Sequence, residues 1–257
     1  MKHVERISKG EKTLILRFAG LCARIIVTTR SDYRLMAQMY SGYLEWPRIY
    51  RESPSRMSLP KRAGRVKTFS KMETATAPSP LKKNFLTFNN KDLLSVIVSV
   101  MNRNNGFVLH ASSLVRKGLG YIFVGKKGAG KSTVRQLFPD LLSLGDDLAL
   151  VRKEGHRYNL FGSPVYQRAN RIYPNKKVRI AGVFELVQAE EDFLERLSFT
   201  QAVNSIVKHA FVCDKEPRDR QGKILLVKTC ADFCQKVRCY KLFFTKSRKL
   251  MNLISKS

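Results

Sequence analysis

Residues 121–138 read YIFVGKKGAGKSTVRQLF. An apolar run enters a glycine-rich loop, and Lys-Ser-Thr opens an amphipathic stretch behind it. This is the feature that most limits what the chain can be. A buried strand that ends in such a loop has to turn back into a helix, which predicts an α/β organisation. Gly125 to Ser132, GKKGAGKS, fits the pattern G-x-x-x-x-G-K-[ST]. Gly125, Gly128 and Gly130 allow the tight backbone that aims N–H groups at phosphate oxygens, with Lys126, Lys127 and Ala129 between them. Lys131 is expected to reach the outer phosphates, and Ser132 to offer its hydroxyl to magnesium, with Thr133 completing the loop.

Many activities use such a loop, so other residues must choose among them. A guanine-nucleotide switch needs N-K-x-D downstream. Here Asn90-Lys91-Asp92 lies upstream, and Asn175-Lys176-Lys177 lacks the aspartate. No L-S-G-G-Q stretch of a transporter ATPase is present. Asp146-Asp147 follows Lys131 by about fifteen residues inside the apolar run LLSLGDDLALV. That spacing predicts that the strand right after the loop helix brings two carboxylates back to the phosphates, one for magnesium and one to accept a proton. His110, in GFVLHASSLV, would come within reach if that strand paired antiparallel with 121–125. A lone strand histidine is also a common structural residue.

The chain of 257 residues carries 48 Lys and Arg against 20 Asp and Glu, a formal charge of +28. Such a field favours anionic partners without choosing among nucleotides, acidic peptides, nucleic acid or membrane surfaces. Its apolar stretches are too short to span a bilayer, and no cleavable leader is evident, so the expected location is the cytoplasm. Five scattered cysteines (Cys22, Cys213, Cys230, Cys234 and Cys239) do not form a disulfide framework or a paired C-x-x-C metal site and read as free thiols.

Residues 12–29 read as two strands around a Gly20 turn, and 32–45 as a helix. Residues 51–83 hold four prolines and a cluster of Lys and Arg, the composition of a linker or mobile loop. From residue 89 the chain turns globular, with a helix over KDLLSVIVSVMNR capped by Asn90. A hairpin follows, from GFVLHASSLV to YIFVG across Arg116–Gly120, and then a loop helix from Ser132. The boundaries that result are 1–50, a small β-rich region; 51–88, a basic linker; and 89–257, the domain that carries the loop. Beyond Val151 come the short apolar runs YNLFGSPV, KVRIAGVFELV, KILLVKT and VRCYKLFF. Between the second and third lies a helix over FTQAVNSIVKHAFV, with Thr200 as its cap.

The order F-V-L-H-A-S-S-L-V, hairpin, G-K-K-G-A-G-K-S-T, L-G-D-D-L-A-L-V resembles the C-terminal catalytic domain of HPr kinase/phosphorylase and its relatives, a fold shared with phosphoenolpyruvate carboxykinases. The likeness is specific over Gly106–Val151. It implies an α/β domain with a mixed sheet, in which Gly125 through Thr133 bind ATP and Ser132 and Asp147 hold magnesium. It also implies that Asp146 activates the acceptor hydroxyl and that His110 and Lys131 stand at the transferred phosphate. The acidic, glycine-containing segment that follows in HPr kinases has no counterpart around 162–179, GSPVYQRANRIYPNKKVR. HPr is therefore not the expected acceptor. Shorter relatives occur in peptide-modification gene sets, including lasso-peptide and SynChlorMet-type cassettes, which implies a peptide or protein hydroxyl as acceptor and suits an acidic one.

The resulting expectation is a kinase that uses ATP and Mg2+ on a Ser/Thr hydroxyl, without a membrane span and compatible with a homo-oligomer. A nucleotide-binding regulatory module without transfer is the alternative. A nucleic-acid-dependent ATPase is the third reading, with no base-stacking motif to support a nucleic-acid partner.

Overall fold

The computed structural model describes residues 12–27, 41–43, 66–70, 90–164, 173–212, 220–247 and 249–255. Packing divides the chain into two units, Met1–Val96 and Ile97–Ser257.

In the first unit, β1 (Lys12–Phe18) and β2 (Leu21–Val27) pair antiparallel, with Phe18 opposite Leu21 across a two-residue turn. Ala19 and Gly20 both take positive φ, 50° and 70°, which is the backbone twist a tight hairpin needs. The strand–Gly20–strand expectation agrees with this. β3 (Val66–Ser70) adds to β2 antiparallel. It falls inside the segment read as a linker. Its Val, Thr and Phe favour a strand, a local preference that the surrounding basic, proline-rich composition masks. Of the helix expected over 32–45, only a short 3-10 turn, Ser41–Tyr43, lies among the described residues.

Helix α1 (Asn90–Arg103) crosses the division between the units and takes in Asn90, expected as its cap, as its first residue. The second unit is built on an eight-stranded mixed sheet. Its strands are β4 (Gly106–Leu109), β5 (Ala111–Arg116), β6 (Leu119–Val124), β7 (Ala149–Glu154), β8 (Arg157–Phe161), β9 (Lys177–Gln188), β10 (Phe193–Arg196) and β11 (Cys239–Phe244). β6, β9 and β11 run parallel, and the remaining pairings are antiparallel.

Helices cover both faces. Ala202 and Ile206 of α3 (Phe199–His209) and Leu226, Cys230 and Phe233 of α4 (Arg220–Lys236) share one apolar cluster with Phe107, Ile122, Val124 and Val183. On the other face, Val134 of α2 (Lys131–Leu137) and Leu250, Met251 and Ile254 of α5 (Leu250–Ile254) pack with Phe123, Phe184 and Leu242. Alternate residues of β6 and β9 thus feed opposite cores, as the two-residue period of a strand requires. The expected α/β class with a mixed sheet is the one found.

Three local readings need correction. GFVLHASSLV is two strands, not one. β4 pairs with β7, β5 pairs with β6, and the chain breaks at His110 between them. Unbroken apolar alternation cannot show that a strand changes partner. KILLVKT, grouped with the short apolar runs, lies within α4, whose docking is fixed by Tyr158 Oη donating to Asp232 Oδ2 at 2.7 Å. The cap of α3 is Ser198 rather than Thr200. Ser198 Oγ accepts from Gln201 N–H, and Gln201 Oε1 accepts from Ser198 N–H at 2.9 Å, a capping box.

Candidate phosphate-binding site

The loop Gly125–Gly130 joins β6 to α2 at the carboxyl end of the parallel strands. In open α/β sheets this is where ligands bind. Lys131 is buried, and its ammonium donates to Gly125 O at 2.6 Å and Lys126 O at 3.3 Å. The lysine therefore folds back across the loop, its charge held by the carbonyls of the cradle it would serve. Ser132 is exposed. Gly130 takes φ 106°, and a Cβ there would lie 2.5 Å from Phe244 Cζ. Only glycine fits that position, on conformation and on space alike.

Strand β5 ties this loop to the aspartates. Ser112 and Ser113 are both buried. Ser112 Oγ donates to Lys131 O at 3.3 Å. Ser113 N–H donates to Gly145 O at 2.8 Å, its Oγ donates to the same carbonyl at 3.3 Å, and that Oγ accepts from Leu144 N–H at 3.3 Å. Ala111 N–H donates to Asp147 O at 3.3 Å. One short strand thus holds the first turn of α2 on one side and the backbone of 144–147 on the other. The expected strand does not carry the aspartates: Asp146 and Asp147 lie in an irregular segment that runs to Leu148, directly before β7.

Asp146 Oδ1 lies 2.6 Å from Arg135 Nε and accepts from Ser143 Oγ at 3.3 Å. Arg135 stands one turn beyond Lys131 on α2, so the ion pair fastens the carboxylate to the loop helix. Asp147 is half-buried. Among the described residues no cluster of three or more His, Cys, Asp or Glu could hold a metal. Magnesium takes few ligands from the protein and keeps waters and phosphate oxygens as the others, so such a cluster is not required for it.

His110 sits at the break between β4 and β5, one residue before Ala111, which opposes Val124 at the start of the loop. The strand that pairs antiparallel with β6 begins one residue after His110, so His110 itself lies outside that pairing. His110 N–H donates to His209 O at 2.8 Å, and its ring packs edge-on against Phe211, with centroids 6.1 Å apart.

Residues that no motif announced also gather here. His209, at the end of α3, is 8% exposed, and its Nε2 is buried with no hydrogen-bond partner among the described residues. Burial pushes its imidazole below the ordinary value. Glu185 pulls it up, while Lys131, Lys208 and His110 push it further down. Glu185 is in register with Val124 on the adjoining parallel strand, half-buried beside the loop. A lone carboxylate inside a strand next to the loop strand was the available signal, hidden because the apolar run KVRIAGVFELV reads as continuous core. Arg135 and the two buried serines were likewise visible only as parts of a helix and a strand.

Cys230, Cys234 and Cys239 are free thiols, as expected, remote from these groups in sequence, with Cys230 pushed up to about 12 by burial. No helix among the described residues is long and apolar enough to cross a membrane.

Residues 79–256 match the family model described as SynChlorMet cassette protein ScmC. No curated protein matches. Among solved structures, the HPr(Ser) kinase/phosphatase from Coxiella burnetii is similar at 10% identity and a TM-score of 0.33. The overlap covers 58% of this chain and 91% of that one.

Proposed function

This chain belongs to the SynChlorMet cassette protein ScmC family, and we propose that it is an ATP- and Mg2+-dependent kinase acting on a Ser/Thr hydroxyl of a peptide or protein. The observation that carries the reading is the brace made by β5. Ser112 holds the carbonyl of Lys131, while Ser113 and Ala111 hold the backbone of Gly145 and Asp147. A phosphate-binding lysine and two carboxylates are thereby kept in one place by buried hydrogen bonds.

In this reading the loop Gly125–Thr133 cradles the phosphate chain, and Lys131 leaves its loop carbonyls for the outer phosphates. Ser132 and Asp147 would hold magnesium, which would supply positive charge against the phosphate chain. The acceptor oxygen forms a bond to the γ-phosphorus while the bond to the β-bridging oxygen breaks. Asp146 takes the hydroxyl proton, and ADP is the leaving group. Arg135 orients Asp146, and His110 stands on the acceptor side. Positioning and electrostatic stabilisation account for most of such catalysis.

One contact favours a second reading, a nucleotide-binding module without transfer. The guanidinium at 2.6 Å from Asp146 Oδ1 makes that carboxylate a poorer base. Incubation with magnesium and γ-labelled ATP, with cell extract or candidate peptides, separates the two. A kinase moves label to an acceptor and loses this in Asp146→Asn while still binding ATP. A module binds ATP in both forms and moves no label.

A further inference from the structure

Three cysteines gather where α4 gives way to β11. Cys230 and Cys234 stand one turn apart on the helix, and Cys239 is the first residue of the strand, with only Val237 and Arg238 between the two elements. All three are free thiols. Cys230 and Cys239 belong to the apolar cluster on this face of the sheet, and Cys234 packs against it from a half-buried position. We propose that Cys234 and Cys239 are an oxidisable dithiol, a modification site that takes a two-electron thiol oxidant such as hydrogen peroxide and closes to a disulfide.

The turn between helix and strand sets up the pair. Val237 N–H still donates to Phe233 O at 2.9 Å, so helical bonding runs to the edge of the strand. Cys239 Sγ lies 3.7 Å from Val237 O, which turns this thiol back towards the end of the helix. There the Cys234 and Cys239 side chains hydrogen-bond to each other. Cys230 is worse placed. Residues four apart on a helix hold their Cβ atoms about 5–6 Å apart, whereas a disulfide needs about 3.5–4.5 Å. A bridge from Cys230 to Cys234 would therefore distort the helix. The three sulfurs are not a metal set either, since no group of three or more His, Cys, Asp or Glu among the described residues could hold a metal.

The two partners divide the chemistry. Cys234 is the one that solvent reaches. The hydrogen bond from Cys239 pulls its thiol below the ordinary value, against the upward push of burial. The thiolate is the form that attacks an oxidant. Its sulfur bonds to one peroxide oxygen, the O–O bond breaks, and the other oxygen leaves as water, which makes Cys234 a sulfenic acid. Cys239 is 5% exposed and pushed up by the same hydrogen bond and by burial, so peroxide does not meet it first. It stands against Cys234 instead. Its sulfur displaces the sulfenic hydroxyl, which takes the Cys239 proton and leaves as a second water while the S–S bond closes. Two thiols have lost two hydrogens and two electrons, and the peroxide has become two waters. Cys230 is fully buried, its thiol pushed up to about 12, and it takes no part. Cys239 opens β11, and Phe244, whose ring lies beneath Gly130, closes it. The dithiol is thus at the opposite end of that strand from the phosphate loop and does not depend on the kinase reading.

The test uses the full chain, reduced, freed of reductant and exposed to hydrogen peroxide. Remaining thiols are alkylated, and the protein is digested with trypsin without reduction. Peptide 229–236 is expected to be linked to peptide 239–241, lighter than their sum by two hydrogens and with Cys230 alkylated. Dithiothreitol should release both. Cys234 left as a free thiol, carried on to sulfinic acid, or linked chiefly to Cys230 or to a second chain would overturn the proposal. A second measurement traps sulfenic acid with dimedone. Cys239→Ala is expected to carry at least tenfold more dimedone on Cys234 than the wild type, because the sulfur that resolves it is gone. Equal trapping in the two proteins would overturn the role of Cys239, and the mapping of the wild type does not depend on how the variant folds.

Discussion

Arg135 Nε and Asp146 Oδ1 stand 2.6 Å apart, joining the helix behind the phosphate loop to the segment that carries both aspartates. The pair is half-buried, so its partners are screened less than a surface ion pair would be. It orients a carboxylate that the proposed chemistry needs in one place. Arg135→Ala is expected to lower phosphotransfer kcat about a hundredfold, the scale of a misplaced catalytic group. The Kd for ATP should stay within about threefold, because Arg135 lies outside the loop. Equal losses in kcat and binding, measured by label transfer and titration, would assign Arg135 to nucleotide binding instead.

Ser113 is the buried hub of the brace. Replacing it with alanine deletes the hydroxyl that bonds Gly145 O and leaves Leu144 N–H without that acceptor. A buried group left unsatisfied costs about 1–3 kcal/mol. Urea unfolding of Ser113→Ala should show a loss of that size at an unchanged m-value. Ser112→Ala removes a single bond and should cost less, about 0.5–1.5 kcal/mol.

Gly130→Ala tests the loop's geometry. The new methyl would meet Phe244 at 2.5 Å from a backbone with φ 106°. The variant should unfold at lower urea and lose ATP binding. Adding Phe244→Leu removes the clash but not the backbone strain. The double variant should therefore regain part of the stability relative to Gly130→Ala. No relief at all would show that the strain lies in the backbone alone.

His209 makes a pH prediction. Burial keeps its imidazole neutral in the fold at a pH where an unfolded chain would protonate it. The groups around it are Glu185 on β9, Lys131 on α2, Lys208 on its own helix and His110 between β4 and β5. Its folded value lies below its unfolded value of about 6.5, so the unfolded state binds more protons once the pH falls past 6.5. Stability is therefore lost as pH falls through that range and is fully present above it. The urea midpoint of the wild type should drop between pH 7.5 and pH 5 by more than that of His209→Gln. Parallel drops in the two proteins would remove His209 from the account.

Much of this site is legible from residues close together in the sequence. The glycine-rich loop, its strand and its helix form one continuous pattern, and Asp146-Asp147 stands out because carboxylates interrupt an apolar run. The two-residue turn at Lys117-Gly118, both at positive φ, is also readable from glycine and spacing. What was hidden depends on partners distant in the chain. Nothing local shows that the strand changes partner at His110, since β7 and β6 make that choice. Glu185 is an isolated charge in a core strand until β9 is set beside β6. Ile224, Leu225 and Val227 read as a short apolar run, yet they are exposed on α4, whose buried contacts come from Leu226, Cys230 and Phe233. Ser112 and Ser113 are ordinary strand residues until the loops that they hold are placed on either side.

The most direct measurement does not require the acceptor to be known. Mg-ATP is titrated onto the wild type, Lys131→Met and Asp146→Asn, each first checked for an intact unfolding transition. The account predicts saturable binding by the wild type, at least a thirtyfold loss in Lys131→Met, and binding close to the wild type in Asp146→Asn. Binding that survives unchanged in Lys131→Met, or a wild type that does not bind at all, would contradict it.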